Sequence, residues 1–133
     1  MIAAVADTHA LIWYLSGDRN LSEAAKQLII QIASDGNQVA ISTISIIEIT
    51  YLAEKGRLGT DWPNRSMSLF SGADSLSVEA PIDIAVAKSL ASLQGSGISD
   101  MPDRIIAATA TYLAVPLITR DRAITNSTVN TIW

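Results

Sequence analysis

Four acidic residues, Asp7, Glu48, Asp103 and Asp121, each stand in apolar or helix-starting sequence at or near the end of a predicted strand. In an open α/β sheet the carboxyl ends of parallel strands frame the crevice where ligands bind, so acids delivered there from distant chain positions should converge. Converged carboxylates repel one another and raise the pKa of at least one member, and a divalent cation resolves that conflict by neutralising them together. The chemistry expected of such a cluster is metal-dependent. Carboxylate oxygens are hard donors and suit a hard divalent cation.

Each acid also has an ordinary structural explanation. Asp7 can cap the helix that follows it, Asp103 lies in a helix first turn where the macrodipole favours an anion, and Asp121 can be a turn residue. Asp100, three residues before Asp103, either caps the same helix or lines the site as a fifth acid. Glu48 is the hardest to explain away, because Ile46, Ile47 and Ile49 surround it and a charge buried among them needs a partner. His9, the single histidine, reads as a helix-surface or packing residue and is left out of the site. Arg104, Arg120 and Arg122 lie beside the acids, where a guanidinium either holds phosphate or forms an ion pair. No glycine-rich phosphate loop, zinc-protease motif or serine triad is present.

The elements that must position these residues follow from hydrophobic patterning. Ile2 to Ala6 is a short apolar run without alternation, as expected of a central parallel strand covered on both faces. Helices are predicted over His9–Leu15, Ser22–Ser34, Thr43–Lys55 with Gly56 at its C-cap, Asp83–Leu93 and Pro102–Ala114. Further strands are expected at Val39–Ser42, at Leu76–Ala80 on an edge, at Leu117–Thr119 and at Val129–Trp133. Between Gly59 and Gly72, Trp62-Pro63 marks a break, with one short helix around Met67, Leu69 and Phe70. Strands alternating with helices predict a three-layer α/β/α sandwich with a mainly parallel sheet.

The chain of 133 residues fits a single domain over 1–133 with a substantial core, and 49% hydrophobic residues exclude a disordered polymer. A net charge of −4 gives no support for a nucleic-acid binder, although a carboxylate cluster accounts for much of the excess and would be offset once metal is bound. The absence of cysteine excludes disulfides and thiolate sites and fits a reducing, cytoplasmic setting. The amino terminus lacks the basic segment of a signal peptide, and no apolar run reaches the ~20 residues needed to cross a bilayer.

Four strings in order then carry a resemblance: Asp7-Thr8-His9-Ala10-Leu11-Ile12-Trp13, Ser42-Thr43-Ile44-Ser45-Ile46-Ile47-Glu48, Pro102-Asp103-Arg104-Ile105-Ile106-Ala107-Ala108-Thr109-Ala110 and Pro116-Leu117-Ile118-Thr119-Arg120-Asp121. Together they resemble the motifs of the PIN domain family, and within it the VapC-type toxins of bacterial toxin–antitoxin pairs. The resemblance implies a PIN-like α/β/α fold, Mg²⁺ or Mn²⁺ at Asp7, Glu48, Asp103 and Asp121, and endonucleolytic cleavage of RNA. It further implies supporting polar roles for Thr8 and Thr119, a homodimer, and a cognate antitoxin that plugs the acidic cleft. One departure is Ser99 before Asp100, where many relatives carry His or Arg, which bears on substrate contacts and leaves the four principal acids in place. The competing reading is a non-catalytic binding or scaffold domain of the same fold, whose acids cap helices and hold arginines. A phosphoacceptor domain ranks lower still, since Asp7 has no acid within two residues.

Overall fold

A computed structural model describes residues 1–72 and 75–133. Five strands form one sheet: β1 (Ile2–Ala6), β2 (Gln38–Ser42), β3 (Ser77–Ala80), β4 (Leu117–Ile118) and β5 (Thr131–Ile132), in the spatial order β3-β2-β1-β4-β5. Every pairing is parallel. The helices are α1 (Thr8–Ser16), α2 (Glu23–Ser34), α3 (Thr43–Glu54), α4 (Trp62–Met67), α5 (Ile84–Ala91), α6 (Met101–Leu113) and α7 (Arg122–Thr125), with a 3-10 turn at Ser68–Phe70.

Side-chain alternation along the strands divides the interior into two cores. Val5, Ala40 and Leu117 point to one side, where they meet Val86 of α5 and Ile106, Ala107 and Ala110 of α6. Ala4, Ala6, Val39, Ile41 and Ile118 point to the other, against Leu11 of α1, Ile29 and Ile32 of α2 and Ile49 of α3. This is the expected three-layer sandwich, and it explains why β1, in the middle of the sheet, is apolar on both faces. The alanines of β1 and α6 let the layers approach closely.

The chain builds outward from β1 to β2 and β3, then returns through α5 and α6 to lay β4 on the other side of β1. The strand order therefore reverses between β1 and β4, which opens a crevice beyond their carboxyl ends. Asp7 follows β1 directly, and Asp121 lies three residues past the end of β4.

Several local expectations are corrected. Trp62-Pro63 starts a helix instead of breaking one: proline sits in its first turn, where no amide donor is needed, and Trp62 is buried beneath the Arg65 guanidinium, 4.5 Å from its ring. Helix α3 is capped by Lys55, and Gly56 follows with φ 72°, the left-handed turn that glycine adopts without steric cost. Helix α7 was not anticipated, because four residues are too few to show periodicity. The last strand is confined to Thr131–Ile132.

Candidate active site

The N-terminus of α1 supplies the first two site residues. Asp7 is buried, and its Oδ1 accepts the Ala10 amide at 2.8 Å, which caps the helix. Its Oδ2 accepts the hydroxyl of Thr119, the residue that leaves β4. The Thr119 hydroxyl in turn accepts the Asp121 amide at 3.0 Å, so one buried side chain ties the end of β1 to the approach to α7. Asp121 Oδ1 caps α7 through the Ile124 amide at 3.0 Å.

Glu48 reaches the same place from the middle of α3. Thr8 Oγ1 lies 2.5 Å from Glu48 Oε1 and 2.9 Å from Ser45 Oγ; having one proton, it donates to the carboxylate and accepts from the serine. Ile49 is wholly buried and Ile47 is exposed, so Glu48 sits at the boundary between core and cleft, half-buried, and not on the outer face of the helix.

Asp103 comes from the first turn of α6. Its amide donates to Asp100 Oδ2 at 3.2 Å, so Asp100 is the helix cap and also lines the cleft. Both readings of that residue hold. Asp103 caps nothing; its carboxylate faces the other acids across a cleft of about 530 Å³ lined by Asp7, Thr8, His9, Trp13, Glu48, Asp100, Asp103, Arg120 and Asp121. All four predicted acids are thus brought together at the switch point of the sheet, with Thr8 and Thr119 bonded to two of them.

The electrostatics follow from this crowding. Burial and the neighbouring Asp121, Asp100, Glu48 and Asp7 push the Asp103 carboxyl up to about 7. Burial also raises Asp7, against the lowering effect of its bonds to Thr119 and Ala10, and burial raises Glu48 against its bond to Thr8. A cluster in which three carboxyls are held above their ordinary range is short of positive charge.

His9 is an exposed helix residue whose ring packs 5.6 Å from that of Trp13, as expected, and it also lines the cleft. Arg104 turns away from the acids and donates to the Leu90 carbonyl at 3.2 Å, because the face of α6 it occupies packs on α5. Trp13 was overlooked as a cleft residue, and its one sequence signal is that it falls on the same face of α1 as His9, four residues on.

The donor set suits a hard cation, since carboxylate oxygens predominate and no thiolate exists. Among the described residues, however, no three His, Cys, Asp or Glu side chains close tightly enough to enclose an ion unaided. The acids form an open bowl, which matches Mg²⁺-type sites that draw remaining ligands from water and substrate phosphate.

Comparison with known proteins places this architecture. The PIN domain family model matches residues 4–127. The chain belongs to the PIN domain family. Ribonuclease VapC22 of Mycobacterium tuberculosis is 31% identical over 122 residues, covering 92% of this chain and 89% of the relative. Among solved structures, a toxin–antitoxin complex from Klebsiella pneumoniae aligns with a TM-score of 0.64 at 27% identity, covering 98% of this chain and 97% of that one. VapBC2 of Rickettsia felis, solved with a DNA fragment from its promoter, aligns with a TM-score of 0.72 at 17% identity, covering 99% and 98%. Asp7, Glu48, Asp103 and Asp121 all fall inside the span of this PIN match.

Proposed function

We propose that this chain is a metal-dependent endoribonuclease, a VapC-type toxin of one PIN domain over residues 1–133, which hydrolyses RNA phosphodiesters in the cytoplasm. The observation that carries the proposal is the convergence of Asp7, Glu48, Asp103 and Asp121 on one open cleft from four separate segments. Likeness to a VapC ribonuclease along 92% of the chain supports the choice of RNA. In this reading the four acids hold Mg²⁺ or Mn²⁺, which when bound would lower the pKa of a water and offset charge on the reacting phosphate. The protein's own contribution is placement. Thr119 fixes the Asp7 carboxylate and the backbone before Asp121, while Thr8 fixes Glu48. Asp103 has no cap to serve, and its raised carboxyl would be drawn into the ionised form by a bound cation.

The partners implied are RNA, an antitoxin that closes the cleft, and a second copy of the chain. Among the described residues no helix is long and apolar enough to cross a membrane. A toxin–antitoxin complex among the similar structures supports the antitoxin.

The non-catalytic binding-domain reading has an observation in its favour, since Asp7, Asp100 and Asp121 each cap a helix. Asp103 and Glu48 separate the two readings, because neither caps anything and both face the cleft. The test is cleavage of a mixed RNA pool by purified protein with Mn²⁺, Mg²⁺ or EDTA, beside Asp103→Asn. Metal-dependent cutting abolished in the variant is the expected result. An Asp103→Asn protein that cuts normally overturns the site, and no cutting together with no Mn²⁺ binding by calorimetry favours the binding domain.

A further inference from the structure

Among the described residues, Arg120 is the one arginine or lysine that lines the acidic cleft. A guanidinium beside five carboxylates would ordinarily fold onto one of them, forming an ion pair that neutralises both. Here it is held otherwise. The Arg120 guanidinium carbon lies 4.5 Å from the Trp13 ring centre, stacked on the indole face, and Nη1 donates to Asn20 Oδ1 at 3.2 Å. The indole is braced in turn, with the Trp133 ring edge-on at 5.8 Å and the His9 ring at 5.6 Å. A flat guanidinium on an aromatic face keeps its charge and its in-plane donors, and one edge of this one, at Nη1, is engaged by Asn20.

The cleft thus has an anionic floor and one cation on its rim, on an exposed side chain whose aromatic support is half-buried. A polynucleotide approaching those acids meets repulsion before any cation can help, and a second phosphate of the same strand requires its own counter-charge. The geometry points to Arg120 as the residue that binds an RNA phosphate neighbouring the scissile one, with Trp13 and Asn20 as positioning residues that keep its charge off the carboxylates. This rests on the nuclease reading and names the contact by which an acidic protein holds an anionic substrate.

The test reads binding apart from cutting. Anisotropy of a short fluorescent single-stranded RNA of mixed sequence is followed over a salt series, with Ca²⁺ in place of Mn²⁺. Arg120→Ala should weaken affinity about tenfold, as expected for a charge-assisted hydrogen bond, and flatten the log–log salt slope by about 0.7, the value for one phosphate contact on a single strand. Arg120→Lys should restore the slope and only part of the affinity, and Asn20→Ala, an exposed substitution, should weaken binding with the slope kept. Unchanged affinity in Arg120→Ala, or weaker binding with an unchanged slope, overturns the phosphate contact while leaving the nuclease intact. RNA binding absent from the unaltered protein overturns the nuclease reading and this inference together.

Discussion

Asp103 illustrates what a single residue contributes when its surroundings, and not its type, set its chemistry. Burial and four neighbouring carboxylates raise its pKa to about 7, so the folded chain keeps a proton that the unfolded chain has already released. Linkage then fixes the sign: the stability associated with this group is complete below the unfolded carboxyl value and is lost as pH rises through about 7. In EDTA the melting temperature should therefore fall between about pH 4 and about pH 7 and level off above that. Asp103→Asn should flatten that fall and melt higher than the parent at the alkaline end, while the proposed site predicts that it no longer cleaves RNA. A parent protein whose melting point is level across this range would contradict the crowding of charge. Divalent-cation affinity should move the opposite way and rise with pH over the same interval, because the ligand must be deprotonated.

Between elements, hydroxyls decide the geometry. Thr119 joins the end of β4 to Asp7 at the end of β1, and Thr8 joins α1 to α3 through Ser45 and Glu48. Replacing Thr119 with valine keeps its shape but removes the donor to Asp7 and the acceptor for Asp121, and loss of such an orienting partner costs roughly 10–100-fold in metal affinity or activity. Calorimetry with Mn²⁺ would show whether the loss lies in metal binding, and parental affinity in Thr119→Val would remove it from the supporting role. A separate element-scale feature is Ala114, which ends α6 at φ 55°, a conformation that favours glycine. Ala114→Gly should stabilise the chain by about 0.5–1 kcal/mol after the entropy gained by the unfolded state is deducted, read as a higher denaturation midpoint with an unchanged slope. A lower midpoint would show that this cap is not strained.

For the molecule as a whole, the balance of apolar surface and acidity is the main clue to assembly. Ile84 is 72% exposed, Met101 67% and Tyr51 59%, large apolar side chains that a second copy of the chain could cover. The expected state is a homodimer, with a mass of two chains by light scattering at micromolar concentration. A mass of one chain would overturn the homodimer.

The legibility of the sequence differed by feature for physical reasons. The central strand, the α/β alternation and the five longest helices follow from patterning, because an apolar run covered on both faces and a helical stripe leave local signatures. The four acids could be singled out because a carboxylate among isoleucines, or just past a strand, demands an explanation wherever the chain goes. The sequence alone could not decide that Asp100 both caps a helix and lines the cleft, or that Arg104 turns to Leu90 while Arg120 lies on Trp13. The contacts of Arg104 with Leu90 and of Arg120 with Asn20 join residues 14 and 100 positions apart in the chain, and the cleft that Asp100 lines is assembled from separate segments, so short-range patterning does not reveal them. Residue type and spacing determined which groups could do chemistry. Only the tertiary structure, through the reversal of strand order between β1 and β4, determined that they line one cleft.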